Sequence, residues 1–153
     1  MSERQVAMRY RDSGEVHLDF YRTLNGTIGW LRQHYGTDFL DETFRSTARD
    51  VYRAIHDDLR QGDASQLAEH WTYYLEREGG RYSLEREGGS IRLVVHECPA
   101  IAYLNRRGIA VDPAFCRQTA VMNEALAEGT PFDITTEMLG DGRCTQTIRR
   151  SVQ

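Results

Sequence analysis

Three cysteines, Cys98, Cys116 and Cys144, and the histidine His96 are the residues of this sequence whose types and spacing could do covalent chemistry. His96 and Cys98 stand two residues apart, so on a strand both side chains leave one face, close enough for an imidazole to polarise a thiol. The thiolate is the reactive form, and a helix N-terminus or a nearby imidazolium lowers a thiol pKa. Cys98 would have both if Pro99, Ala100, Ile101 and Leu104 form a short helix running to Gly108. Cys116 follows Asp112-Pro113, a capping carboxylate with proline at the first helical position, and so falls in the first turn of the next helix. Free cysteines are commonly buried as small apolar groups. On local physics Cys98 is the first nucleophile candidate, Cys116 the second, and Cys144, which reads as core, the third.

His96 with the three cysteines would also make an acceptable tetrahedral zinc set. The chain has no pair of cysteines separated by two residues, so no metal is expected, and no cofactor. No glycine-rich phosphate loop follows a strand, and neither Gly-x-Ser-x-Gly nor His-Glu-x-x-His occurs, which disfavours nucleotide and serine-hydrolase chemistry. His17, His34, His56 and His70 fall on or near helices, mostly beside charged neighbours, and are expected to be exposed or satisfied rather than catalytic. Trp71, Tyr73 and Tyr74, with Trp30 and Tyr21, could line a pocket for a small planar ligand, although aromatics at helical spacing are first of all core.

The elements that must position these groups follow from periodicity. A first helix begins near Asp12 or Ser13, where Asp12 and Glu15 have capping-box spacing; it carries Tyr21, Leu24, Ile28, Leu31 and Tyr35 on one face and stops at Gly36. A second takes Asp41 as cap and presents Phe44, Ala48, Val51, Ile55 and Leu59 before Gly62. A third opens at Asp63 and Gln66, with Ala64, Leu67, Ala68, Trp71 and Leu75 facing one way. The period then becomes two: Tyr82 and Leu84, a Gly88-Gly89 turn, and Ile91, Leu93 and Val95. A helix with Phe115, Thr119, Met122 and Leu126 puts Ala120 and Asn123 on the flank of Cys116. The last segment, with Phe132, Ile134, Thr136 and Met138 before Gly140-Asp141-Gly142, is a hairpin. A three-residue loop would set Met138 opposite Cys144 and Ile134 opposite Ile148. The hexapeptide Leu-Glu-Arg-Glu-Gly-Gly occurs at 75–80 and again at 84–89, too few copies for a repeat protein.

At 153 residues, 40% hydrophobic and 27% charged, the chain has the size and composition of one globular domain, with 1–11 expected to be a flexible N-terminal segment. Its 19 Lys and Arg against 23 Asp and Glu give a net charge of -4, which argues against binding a nucleic-acid backbone. No apolar run approaches the roughly 20 residues needed to cross a bilayer, and the polar N-terminus lacks a signal core. The expected setting is the cytoplasm, with reduced thiols and neither nucleic acid nor membrane as partner; a homodimer is compatible with the sequence. The expected fold is α+β: three N-terminal amphipathic helices packed on a small antiparallel sheet of two hairpins with intervening helices.

Cys98-Pro99 at a strand end, Cys116 early in the following helix and Gly140-Asp141-Gly142-Arg143-Cys144 in the final hairpin, behind three amphipathic helices, resemble the L-2-amino-thiazoline-4-carboxylic acid hydrolase family. The likeness runs from about residue 15 to residue 149 in order of elements. It implies hydrolysis of a cyclic amidine, with the thiazoline ring opened to a carbamoyl-cysteine product. Spacing and helix-end electrostatics then assign the roles. Cys98 or Cys116 would attack the C=N carbon and His96 would act as general acid or base, with Cys144 as the remaining thiol. Asp141 or Arg143 would hold a substrate carboxylate or amidine, and Asn123 and Trp71 would line the pocket. The architecture is similar, too, to the small-molecule-binding domains related to vinyl-reductase accessory proteins, which bind ligands without hydrolysing them. Likeness of fold does not choose between a hydrolase and a sensor or carrier.

Overall fold

The computed structural model describes residues 17–152; the cap expected at Asp12, Ser13 and Glu15 and the segment 1–11, for which flexibility was expected, lie outside them. The chain is α+β, with helices α1 (Phe20–Tyr35), α2 (Thr37–Asp50), α3 (Arg53–Arg60) and α4 (Ser65–Arg77) leading into strands β1 (Arg81–Glu87) and β2 (Ser90–Glu97). Helices α5 (Pro99–Arg106) and α6 (Arg117–Ala127) follow, then β3 (Phe132–Gly140) and β4 (Arg143–Arg150). No helix among the described residues is long and apolar enough to cross a membrane.

The first half differs from expectation in several places, beginning with α1, which starts only at Phe20, after a turn at 18–19, instead of running through 17–19 from a start near Asp12 or Ser13. Gly36, at φ 86°, ends α1, yet α2 starts at once at Thr37, so Asp41 lies within a helix and is buried instead of capping one. The expected second helix breaks at Val51-Tyr52, where both backbone N–H groups turn back to the Thr47 carbonyl. Val51 is left exposed, while Ile55 and Leu59 of α3 reach the core. On α1 the buried positions are Tyr21, Asn25, Ile28 and Gly29; Tyr35, expected on the buried face, is exposed. Asn25 is satisfied at its buried position, donating to the Ala110 carbonyl at 2.9 Å and accepting from the Asp112 N–H at 2.8 Å.

Two glycines of α1 sit in opposite situations. A methyl group on Gly29 would stand 2.8 Å from Asp112 Oδ2, and Asp112 cannot yield freely. Arg32 grips both its oxygens at 3.0 and 2.9 Å, and Oδ1 caps the Ala114 N–H. A methyl group on Gly26 meets nothing within 4 Å. Gly26→Ala should therefore raise stability by about 0.5–1 kcal/mol through helix propensity. Gly29→Ala should lower it by about 1–2 kcal/mol, since forced contact outweighs that gain. Urea melts of the two variants test the contrast, and equal effects would refute it.

The four strands form one antiparallel sheet in the order β1-β2-β4-β3. Strand pairing lines up rows of side chains on the helix-facing side: Tyr82, Val95, Cys144 and Met138 in one, Leu84, Leu93, Gln146 and Thr136 in the next, and Ile91, Ile148 and Ile134 beyond. Met138 pairs with Cys144 and Ile134 with Ile148, as the alternation of side chains requires. The turn achieves this differently from expectation. Asp141 and Gly142, at φ 53° and 72°, form a two-residue turn closing Gly140 on Arg143, and a bulge at Leu139 restores the register.

Helix α6 packs on β3 and α2, α5 lies against α1, and α4 meets β1. Buried side chains form two clusters, one between the sheet and α3, α4 and α6, the other among α1, α2, α5 and the segment before α6. Tyr74, Cys98 and Met122 touch both.

Candidate functional site

Along the seam between the two clusters runs a cavity of about 740 Å³. One stripe of α4 lines it, Leu67, His70, Trp71, Tyr74 and Leu75, continued by the C-cap Glu78, at the three- and four-residue steps of a single helical face. Leu93, Val95, Cys144 and Gln146 come from the sheet, Thr119, Met122, Asn123 and Leu126 from α6, and Cys98, Ala100 and Ile101 from the start of α5. The wall is mostly hydrocarbon and aromatic ring, with a few polar groups set into it.

Two sequence motifs that lie far apart in the chain meet at one end. Strand β2 ends at Glu97, and Cys98 becomes the N-cap of α5 with Pro99 in the first turn, as expected. Its backbone N–H donates to the Gly142 carbonyl at 2.9 Å. Gly142 lies so near α5 that a side chain there would come 3.0 Å from Ile101 Cβ, and its positive φ favours glycine independently. The hairpin tip thus brings Asp141 and Arg143 to the cavity that Cys98 lines.

All three cysteines line this one cavity, together with Trp71, Asn123, Asp141 and Arg143. His96 does not join them. It is exposed on the outer face of the sheet, where its Nε2 lies 3.1 Å from Ser83 Oγ. The pairing of His96 with Cys98 assumed continued alternation, but the chain turns at Cys98 to enter α5 and carries that side chain round to the helix side. Cys116 is corrected by one turn: Asp112-Pro113 opens a hydrogen-bonded turn, and α6 begins only at Arg117, with Cys116 as its N-cap.

Burial decides the state of the sulfurs. It pushes Cys98, Cys116 and Cys144 above the ordinary thiol range, Cys144 to about 11. At Cys98 the backbone N–H groups of Ile101 and Ala100, near the sulfur in the first turn of α5, oppose the effect of burial, and the nearby Glu78 charge adds to it. At Cys144 only the Gln146 amide, 3.8 Å from the sulfur, opposes burial. The helix-end stabilisation expected for the thiolates is therefore present at Cys98 and outweighed. Alkylation by iodoacetamide should be slow at pH 7 and rise about tenfold per pH unit from 7 to 9, with Cys144 the slowest. Peptide mass spectrometry gives the three rates, and Cys144 reacting as fast as Cys98 at pH 8 would contradict this order.

The polar inventory is specific. Asn123 Nδ2 donates to Thr136 Oγ1 and Gln146 Oε1, both at 2.8 Å, crossing from α6 to the middle row of the sheet. The Tyr21 and Tyr74 hydroxyls are 2.5 Å apart, and burial raises the Tyr74 pKa. Among the described residues no three His, Cys, Asp or Glu side chains are placed to share a metal ion. The thiols face one space without closing on one point.

No protein-family model, curated protein or solved structure matches the chain. The site must be read from its own geometry, which includes residues that sequence reasoning passed over. His70, expected to be solvated or satisfied outside the site, lines the cavity edge-on to Tyr52, and burial lowers its pKa. Glu78 lines it as well, and burial raises its pKa. Both continue the stripe of Leu67, Trp71 and Leu75 by helical steps, which was the available signal. Of the aromatics considered, Trp71, Tyr74 and Tyr21 line the cavity, whereas Trp30 and Tyr73 are exposed.

Proposed function

We propose that the protein binds a small, largely apolar or planar molecule in the cavity between its helices and its sheet. The observation that carries this reading is the cavity itself. At about 740 Å³ it falls within the range of small-molecule sites, and it has an apolar and aromatic wall with few polar groups. Neutral thiols suit such a wall, since a protonated sulfur is a soft apolar surface. The resemblance to vinyl-reductase-related domains points to the same role. Native mass spectrometry of the purified chain, followed by calorimetric titration with naphthalene-sized probes, tests it. One ligand per chain with no product is expected, and absence of saturable binding by any probe would reject the reading.

A second reading is favoured by the N–H groups that the start of α5 turns on Cys98. A substrate whose imine nitrogen takes the Cys98 proton would leave a thiolate favoured by those N–H groups, the arrangement that covalent attack on a cyclic amidine needs. This is the activity implied by the hydrolase resemblance, with Cys98 as nucleophile. Incubation with 2-aminothiazoline-4-carboxylate distinguishes the readings. Ring opening that disappears in Cys98→Ser and persists in Cys116→Ser and Cys144→Ser would establish hydrolysis, and equal turnover in all three variants would exclude a thiol mechanism.

A further inference from the structure

Glu78 stands where a side chain should be apolar. It follows Trp71 by seven residues and Leu75 by three, and as the C-cap of α4 it continues that helix's cavity-lining stripe just before Gly79. The residue is half-buried, but its Oε2 is fully enclosed and has no hydrogen-bond partner, the one buried side-chain oxygen or nitrogen among the described residues in that position. Buried carboxylates are ordinarily paired, because an unpartnered one loses its hydration and gains nothing in return.

Among the described residues, nothing in the cavity supplies that partner. The chain contains no lysine. Arg143 is the cavity's only arginine among the described residues; it projects from the hairpin tip and makes no ion pair with Glu78. Burial lowers the pKa of His70, the one imidazole in the lining, and so disfavours its cationic form. The other titratable lining groups, Tyr21, Tyr52, Tyr74, the three thiols and Asp141, are neutral or acidic. The negative end of α4 points the same way, since a helix C-terminus favours a cation. Trp71 and Tyr74 are in the lining too, and aromatic rings of these types attract a cation.

Building on the reading of the cavity as a binding site, we propose that its ligand is a small organic cation. A protonated nitrogen pairs with Glu78 Oε2, and the apolar body lies against Trp71, Tyr74 and Leu75. Glu78 is thus the residue that selects the charge of the ligand, and the cavity wall selects its shape.

Three probes of nearly one shape separate charge from shape: 2-naphthylmethylamine, 2-naphthylmethanol and 2-naphthoate, titrated calorimetrically into the full chain at pH 7.5. The amine is expected to bind at least tenfold tighter than the alcohol, with the carboxylate weakest. In Glu78→Gln the amine should fall to the affinity of the alcohol, and Glu78→Asp should keep part of the preference. Thermal melts of both variants confirm that they fold. Equal affinity of amine and alcohol, or an amine preference that survives in folded Glu78→Gln, overturns the assignment while leaving the cavity a binding site. Failure of all three probes to bind overturns both.

Discussion

The double variant Thr119→Trp/Met122→Trp is expected to bind naphthalene-sized probes about 70-fold more weakly than the wild type. Thr119 and Met122 lie three residues apart on α6, and both point into the cavity. Two indoles there occupy space now open to a ligand. If they remove roughly 100 Å² of apolar contact from the bound probe, at about 25 cal/mol/Å² the loss is about 2.5 kcal/mol, which corresponds to that factor in Kd. Neither residue is fully buried, so the larger rings can fill the cavity without forcing the backbone apart. The melting temperature should stay near the wild-type value or rise, because filled apolar space stabilises a fold. Unchanged affinity in a folded double variant would show that the probes bind elsewhere, and the cavity would lose its claim to be the site.

How much of this was legible in the sequence varies from residue to residue. Side-chain alternation was enough for Met138 opposite Cys144, because a shift of one residue would have turned Ile134 and Ile148 to opposite faces. It could not show that a Leu139 bulge and a two-residue turn would deliver that register. The convergence of Cys98 with Asp141, Arg143 and Cys144 was foreshadowed only by their residue types. What brings them together is a backbone bond between Cys98 and Gly142, forty-four positions apart, which no local rule anticipates. The repeated hexapeptide marks the boundary most clearly. Its first copy, at 75–80, finishes a helix, and its second, at 84–89, runs through a strand into a turn. Identical local preference is overridden by the neighbours each copy packs against. Leu75 and Leu84 both reach the same core cluster, but the matching glutamates part company. Glu78 enters the cavity, whereas Glu87 ends β1 beside the Gly88-Gly89 turn and is exposed. The second helix misled for a related reason. Asp41 has the chemistry of a cap, but its actual partner is Arg117, seventy-six residues away.

That pair carries the largest stability effect. Arg117→Ala is expected to destabilise the protein by about 2–4 kcal/mol at pH 7. Arg117 Nε and Nη2 hold the two oxygens of Asp41 at 2.5 and 2.6 Å, a two-point grip that joins the middle of α2 to the first residue of α6. Asp41 is buried, so removing the guanidinium strands a carboxylate away from water, the circumstance in which breaking a pair costs far more than its formation contributes. Arg117 is about half exposed, which places the effect below the range for fully enclosed pairs. The pH dependence has a definite sign. The Arg117 hydrogen bonds hold the Asp41 carboxyl below its usual range, so the pair's contribution is complete above the ordinary aspartate value of about 3.9 and disappears as pH falls through the depressed folded value. The deficit of Arg117→Ala should therefore be full at pH 7 and shrink towards pH 3, where a protonated Asp41 no longer needs the cation. Adding Asp41→Asn to Arg117→Ala should recover part of the loss at pH 7 by removing the stranded charge. Cys116 lies immediately before Arg117, so the single variant should also alkylate faster at that thiol as the start of α6 loosens. Urea melts at the two pH values decide the matter, and a deficit under about 0.5 kcal/mol at pH 7 would mean that the grip between α2 and α6 comes from their apolar contact alone.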